Sequence, residues 1–260
     1  MKRLARNGVA LAYEEDGKGG PPVLLIHGWA GDHSDMEPLF RHFSARHRTI
    51  SVDLRGHGES DKPVQDYSIS GFAEDLAWLC SYVNVWKPIV IGHSLGGLIS
   101  MQLAFDHQVP LAIAVLDSPV IPTEGRRAAL QSFLEGVRGP DYAERQRDFI
   151  AGQLFVEPND SARKADIIRR MSSTPQHVTV SVFENILKWN RIGEILSCRL
   201  PLAYIGASRP GTEFSRLSES ASHWLTWQIP GVGHFLQLEA PEEVNAAIDR
   251  FLTASVLSPL

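Results

Sequence analysis

The stretch Gly92-His93-Ser94-Leu95-Gly96-Gly97 decides the fold. It follows the apolar run at 88–91 and precedes the helix-like run at 98–104. A chain that turns abruptly from a strand into a helix needs glycines beside the turn, because a Cβ there would clash with the neighbouring elements. The sequence therefore predicts a nucleophile elbow, which exposes the Ser94 oxygen at the sheet edge and aims the amides of the next helix at an oxyanion.

Short apolar runs alternate with helical patterns along most of the chain, which is typical of a mainly parallel sheet covered by helices on both faces. Runs that predict strands lie at 9–13, 23–28, 49–54, 88–91, 111–117, 201–206 and 224–229. The first of them is predicted to belong to a leading hairpin. A closing helix is predicted to begin near Pro241, where proline and two glutamates suit a first turn.

No strand-like run occurs between residues 120 and 196. This segment instead carries helical patterns, at 126–137, 142–154, 161–171 and 178–189. A helical block inserted between two strands of a parallel sheet is expected to cover the carboxyl ends of the strands, where ligands bind. We therefore predict an α/β core formed by residues 1–119 and 197–260, with a helical lid at 120–196.

The composition limits the classes of partner that the protein is expected to bind. The formal net charge of −5 gives no basic face for nucleic acid or anionic lipid, so a small-molecule substrate is expected. The first residues contain no apolar run long enough for a signal peptide, and no stretch approaches a transmembrane span. These features predict a cytoplasmic protein that does not act on membranes. Cys80 and Cys198 are far apart and are predicted to be buried, reduced thiols.

A serine nucleophile needs a base within hydrogen-bond reach at neutral pH. His234 lies in the glycine-rich turn 231–235 after the last predicted strand, where it can reach back over the sheet edge to Ser94. We predict that His234 is this base. His27 and His93 lie in predicted buried turns, where one ring nitrogen of each can bond to the backbone.

The second donor of an oxyanion hole is expected in the loop after the first parallel strand. The segment 27–31, HGWAG, supplies it, because glycine lets the chain turn so that the amide of Trp29 points inward. This amide is predicted to meet the amide of Leu95, the residue after the nucleophile. The Trp29 side chain either lines the acyl pocket or serves only in packing.

Four motifs resemble the α/β-hydrolase superfamily: HGW at 27–29, DLRGHGES at 53–60, GHSLGG at 92–97 and GHF at 233–235. The similarity covers the whole chain except the predicted lid. It extends to the lidded esterase, carbon–carbon hydrolase, perhydrolase and lactonase branches. The resemblance implies the chain order serine, acid, histidine, an architectural role for the turn at 53–60, and no cofactor.

The position of the acidic residue that would orient His234 departs from the family pattern. The superfamily usually carries an aspartate shortly after the strand that ends at Gly206, and the loop 207–214 has none. Some branches place the acid after the preceding strand, where Asp117 stands. We favour Asp117 as the partner of His234, with Glu213 as the alternative acid and a site without a third member as the remaining possibility.

No metal site is predicted, because Asp32, His33, Asp53 and His57 make no recognised metal-ligand spacing. The predicted function is a serine hydrolase that cleaves a carboxylic ester, thioester or lactone of a small apolar or aromatic substrate through an acyl-enzyme.

Three alternatives share the fold: a carbon–carbon bond hydrolase of a diketone-type substrate, a cofactor-free dioxygenase, and a non-catalytic small-molecule receptor. The resemblance disfavours the dioxygenase, since those enzymes typically carry a histidine where this chain has Leu95. Arg126 and Arg127, near the entrance of the predicted lid, either meet a substrate carboxylate or are solvated.

Overall fold

The computed structural model describes residues 1–156, 160–220 and 224–256. Its strands are β1 (Lys2–Arg6), β2 (Val9–Asp16), β3 (Val23–Ile26), β4 (Thr49–Asp53), β5 (Ile89–His93), β6 (Ala112–Leu116), β7 (Leu202–Gly206) and β8 (Trp224–Gln228). Within the described ranges they form one sheet in the order β1-β2-β4-β3-β5-β6-β7-β8. The pairings of β2 with β1 and β4 are antiparallel, and the other pairings are parallel. The predicted α/β class with a mainly parallel sheet is confirmed.

The helices are α1 (Glu37–Ser44), α2 (Ile69–Tyr82), α3 (Leu95–His107), α4 (Glu124–Val137), α5 (Tyr142–Gln153), α6 (Ser161–Met171), α7 (Gln176–Lys188), α8 (Ile192–Ser197), α9 (Phe214–Ser220), α10 (Leu236–Glu239) and α11 (Pro241–Ser255). Helix α4 begins two residues before its predicted start, because the Thr123 hydroxyl accepts a hydrogen bond from the Arg126 amide and caps the helix. Helix α8 was not predicted. Its six residues are too few to show a helical period.

Alternate residues of the strands point to opposite faces of the sheet, and both faces are buried. One face carries Leu24, Ile26, Ile50, Val52, Val90, Ile113 and Val115, which pack with α2, α3 and the helices α4 to α7. The other face carries Val23, Leu25, Ile89, Ile91, Ala112, Ala114 and Leu116, which pack with α1 and α11. This double burial is why the strands appear in the sequence as continuous apolar runs.

The strand order brings the loops of interest to one edge of the sheet. The chain continues from β3 to β4 on one side and returns to β5 on the other, so the order reverses between β3 and β5. Ligands bind beyond the carboxyl ends of the strands at such a reversal. Trp29 follows β3, Ser94 follows β5, Asp117 follows β6, and His234 follows β8.

The two cysteines are both free thiols. Cys80 is buried, as predicted, and burial raises the pKa of its thiol to about 12. The prediction that Cys198 is buried is wrong: its residue is half-buried, because it ends the short helix α8 in the connection back to the sheet. Among the residues that the structure describes, no helix is both long and apolar enough to span a bilayer.

Candidate active site

Ser94 stands in the sharp turn between β5 and α3. Its backbone has φ 53° and ψ −115°, in the region that side chains rarely adopt. A Cβ at Gly92 would collide with the Gly96 carbonyl, and one at Gly96 would collide with the Ile26 carbonyl, so both positions require glycine. The turn leaves Ser94 half-buried while the residues on both sides are buried. The local geometry is that of the predicted elbow.

Leu95 and Trp29, whose backbone amides the sequence predicts as oxyanion donors, both lie beside Ser94. Leu95 is the first residue of α3, and the first amides of a helix have no partner inside the helix. Trp29 lies in the loop after β3, where the amide of Gly31 bonds to the carbonyl of Gly28 at 3.2 Å and Ala30 has φ 59°. Both residues line the same cavity as Ser94.

The Trp29 side chain is 6% exposed and packs against three phenylalanines of the helices α4, α5 and α7. The ring centroids lie 5.5 Å from Phe133, 6.4 Å from Phe149 and 4.8 Å from Phe183, all in edge-to-face arrangements. The Trp29 side chain therefore lines the cavity and also packs against the helices, so both interpretations drawn from the sequence apply to it.

His234 and Asp117 form a buried pair. Nδ1 of His234 lies 2.7 Å from Oδ2 of Asp117, and the side chains are 8% and 6% exposed. The other carboxylate oxygen of Asp117 accepts from the amide of Ala207 at 3.2 Å. With the Nδ1 proton directed at the carboxylate, Nε2 of His234 is left as the basic nitrogen.

Glu213, the alternative acid, lies elsewhere. Its carboxylate is 3.5 Å from the guanidinium of Arg216 and is 38% exposed. Its amide bonds to the carbonyl of Ile121 at 2.8 Å, which fixes the loop after β7 against the start of the helical segment. The structure thus brings Asp117 to His234 and leaves Glu213 on the surface.

Two further histidines support the loops of the site. Nε2 of His93 donates to the backbone carbonyl of His234 at 2.8 Å. Burial, with a smaller contribution from His234, lowers the pKa of His93 well below its usual range, so its ring stays neutral. His27 accepts from the Leu54 amide through Nε2 at 3.0 Å and donates through Nδ1 to the carbonyl of Gly28 at 2.7 Å. Both rings bond to backbone, as predicted.

The cavity is narrow and mainly apolar. Its free volume is about 30 Å³, enough for one or two water molecules. The side chains that line it beside those already described include Leu98, Pro119, Leu130, Leu154, Met171, Ile186 and Phe235. Several of these belong to the helices α4 to α8, which we call the helical block.

Sequence reasoning missed an ion pair whose aspartate, Asp35, lines the cavity. Asp35 is 1% exposed, and Nη2 of Arg170, from α6, lies 2.6 Å from its Oδ1. Nη1 of Arg170 also lies 3.1 Å from Asp32. Burial raises the pKa of Asp35, while Arg170 opposes this shift. No pattern in the sequence joins residues 135 positions apart, so only the packed structure reveals the pair.

The aspartates considered as metal ligands have other partners. Asp53 accepts from the amide of His33 at 2.7 Å, from Nδ1 of His33 at 2.9 Å and from the amide of Glu59 at 2.7 Å. Asp32 caps the 3₁₀ turn His33–Met36. In the described parts of the chain, no group of three or more histidine, cysteine or carboxylate side chains is arranged to hold a metal ion.

A family model described as the alpha/beta hydrolase fold matches residues 21–180, more than half of the chain. The chain belongs to this family. The alpha/beta hydrolase assignment confirms the resemblance carried by the four motifs. The structure of a thermophilic esterase from Thermogutta terrifontis superposes on 98% of this chain and 99% of its own with a TM-score of 0.85. At 22% sequence identity, this likeness shows the fold.

Curated relatives of this alpha/beta hydrolase have varied names. It is 27% identical over 266 residues to the dihydrolipoyllysine-residue acetyltransferase component of the acetoin cleaving system of Pseudomonas putida, covering 92% of this chain and only 65% of that protein. It is 28% identical over 269 residues to 2-(acetamidomethylene)succinate hydrolase of Mesorhizobium japonicum, covering 97% and 95%. It is 26% identical over 278 residues to 2-heptyl-3-hydroxy-4(1H)-quinolone dioxygenase of Mycobacteroides abscessus, covering 96% and 97%. The fold together with the hydrolase and esterase names supports a hydrolase.

Proposed function

We propose that this protein is a serine hydrolase that cleaves a carboxylic ester, thioester or lactone of a small, apolar or aromatic substrate. The observation that carries the proposal is the 2.7 Å contact between Asp117 and His234, the histidine that lines the same cavity as Ser94. A buried imidazole oriented by a carboxylate is the arrangement that activates a serine hydroxyl.

In the proposed mechanism Ser94 attacks the carbonyl carbon while Nε2 of His234 accepts the hydroxyl proton. Asp117 stabilises the imidazolium that forms, and the amides of Trp29 and Leu95 donate to the oxyanion. His234 then returns the proton to the leaving oxygen or sulfur. Water, activated by the same histidine, attacks the acyl-enzyme and releases the acid. No metal or cofactor is needed for these steps.

The helical block is proposed to act as the lid over a core formed by residues 1–119 and 197–260, with the lid spanning 120–196. The free volume of about 30 Å³ beside Ser94 supports this role, because the closed arrangement has no room for an ester. The amide of His234 also bonds to the carbonyl of Leu154 at 2.9 Å, so the loop of the proposed base touches the lid directly.

Labelling with a fluorophosphonate probe tests the nucleophile. The wild type is expected to react and to turn over 4-nitrophenyl esters, whereas Ser94→Ala is expected to do neither, because a small residue fills the elbow without an oxygen. The exposed Ser70 provides a control, and Ser70→Ala is expected to behave as the wild type. Labelling of Ser94→Ala at the wild-type rate contradicts the proposal.

A cofactor-free dioxygenase is the second candidate, favoured by the similarity to the quinolone dioxygenase over almost the whole chain. The acid after β6 suits both functions. We expect no oxygen consumption with 3-hydroxy-4-quinolones, because Leu95 offers no imidazole next to the nucleophile position. Stoichiometric oxygen uptake in an electrode, retained in Ser94→Ala, would reverse the order of the two proposals.

A further inference from the structure

The cavity beside Ser94 contains one positive charge without a partner among the described residues. Asp35 and Arg126 both line it, in addition to His234, whose ring contacts Asp117. Asp35 is neutralised by Arg170 at 2.6 Å. Nε of Arg126 is buried and has no hydrogen-bond acceptor.

The stem of Arg126 is held in place. Its amide donates to the Thr123 hydroxyl at the start of α4, at 3.1 Å. A Cβ on Gly211 would lie only 2.9 Å from Nε and about as close to two carbons of the stem, so the side chain crosses directly over that glycine. Asp117 is too far from Arg126 to form an ion pair, although its charge raises the pKa of Arg126. Its carboxylate already contacts His234. The guanidinium therefore remains at the cavity with donors to spare.

Arg127, the next residue in the chain, has a different environment from Arg126. Arg127 is exposed, lies outside this cavity, and donates to the carbonyl of Leu187 at 3.2 Å. Burial lowers the pKa of Arg126, with Asp117 opposing the shift, and an arginine nevertheless stays protonated at neutral pH. Arg126 is half-buried as a residue, with its Nε fully buried, and a cation that is taken out of water without a partner destabilises the protein that carries it. An anion supplied from outside would remove that cost.

We infer that Arg126 binds a carboxylate of the substrate, separate from the ester, thioester or lactone group that is cleaved. The planar guanidinium presents parallel N–H donors that match the two oxygens of a carboxylate. Nε1 of Trp29 is also buried without an acceptor, which gives the cavity a second unused donor. The inference rests on the proposed function and narrows its substrate class to anionic esters, thioesters or lactones.

Paired esters test the inference. The 4-nitrophenyl monoesters of dicarboxylic acids with four to eight carbons are compared with the 4-nitrophenyl esters of unbranched monocarboxylic acids of equal length. The wild type is expected to prefer the charged member of at least one pair in kcat/KM. Arg126→Gln is expected to reduce that preference about 10- to 100-fold. Arg126→Lys keeps the charge and is expected to retain part of the preference, and Arg127→Gln all of it.

A binding measurement separates this inference from the proposed function. In Ser94→Ala, calorimetry compares the monomethyl esters of the same diacids with the methyl esters of the monoacids, with and without Arg126→Gln. A preference for the charged ligand that disappears with Arg126→Gln supports the inference even where the wild type turns over no ester. Equal affinity for both members of every pair, or an equal loss for both in Arg126→Gln, overturns it.

Discussion

Nε2 of His93 donates a hydrogen bond to the backbone carbonyl of His234 at 2.8 Å, so the residue before the proposed nucleophile holds the loop that carries the proposed base. The two imidazole rings lie 4.6 Å apart. Since His93 is fully buried and burial lowers the pKa of its ring well below the usual range, this contact does not depend on pH near neutrality. The His93 side chain thereby ties the turn before α3 to the loop after β8, in addition to the bond from the His234 amide to the Leu154 carbonyl.

His93→Phe is expected to lower kcat about tenfold or more with little change in KM, because it leaves the His234 carbonyl without its donor and loosens the loop. His93→Gln, which can still donate from this position, is expected to recover part of the loss. Both variants are measured with one activated ester. A parallel change in KM and kcat for the two variants would indicate general disruption of the fold and no positioning role.

Asp117→Asn is expected to lower kcat/KM by roughly 10² to 10⁴, because it keeps the shape of the side chain but removes the charge that stabilises the imidazolium. Initial rates of both proteins with one activated ester at a single pH measure this loss.

Glu213→Gln is the matched control for the acid. Its carboxylate contacts Arg216 on the surface, so the variant is expected to retain nearly the whole wild-type rate. A near-normal rate for Asp117→Asn together with a reduced rate for Glu213→Gln would show that the acid lies in the loop after β7.

Parts of the site that follow strands could be predicted from the sequence. Ser94 and Asp117 stand directly after β5 and β6, and His234 lies in the glycine-rich turn after β8. Parallel strands place the residues that follow them at one edge of the sheet. The glycines around Ser94 mark the turn because their backbone contacts exclude any side chain. Local pattern and topology together determine these positions.

Contacts across the cavity could not be predicted, because they depend on how the helical block packs on the sheet. Arg170 reaches Asp35 because α6 packs near the 3₁₀ turn. The helical pattern of α6 in the sequence does not indicate where this helix packs. The orientation of Arg126 likewise depends on Gly211, far along the chain. Charged residues on helix faces look alike in a sequence whether they point to solvent or to a cavity.

Stability at acid pH provides a test of a buried histidine in the turn at 53–60. Burial, reinforced by His27, lowers the pKa of His57 from its usual 6.5 to about 3. The unfolded chain therefore binds a proton that the folded chain does not, so the stabilisation is complete above about pH 6.5 and is lost as the pH falls towards 3. The loss attributable to His57 is at most about 1.4 kcal/mol per pH unit.

His57→Gln is expected to be less sensitive to acid than the wild type. Urea unfolding at pH 7 and at pH 4.5 should show a decrease in the free energy of unfolding that is smaller in the variant by about 3 kcal/mol. The exposed His107 offers a control, and His107→Gln should keep the wild-type dependence. Equal slopes in His57→Gln and the wild type would show that the ring is protonated in the folded protein.

Substitution of Arg170 is expected to destabilise the protein more than substitution of Asp35, its partner in the ion pair that joins α6 to the core. Arg170→Met leaves the carboxylate of Asp35, which is 1% exposed, without its counter-charge, and such a loss costs about 3–5 kcal/mol. Asp35→Asn is expected to cost less, because Arg170 keeps Asp32 at 3.1 Å and Asp166 at 2.9 Å. The double variant should therefore be more stable than Arg170→Met alone.

Urea unfolding of the single and double variants at pH 7 measures the coupling between the two side chains. Arg169→Met is the control, since Arg169 is exposed and pairs only with Asp166 among the described residues, and it should change the free energy of unfolding by less than about 1 kcal/mol. Burial already raises the pKa of Asp35, and without Arg170 the carboxyl group should take up a proton more readily still. The destabilisation of Arg170→Met should therefore shrink as the pH falls from 7 to 5, whereas a loss that is independent of pH would point to packing of the arginine stem as its cause.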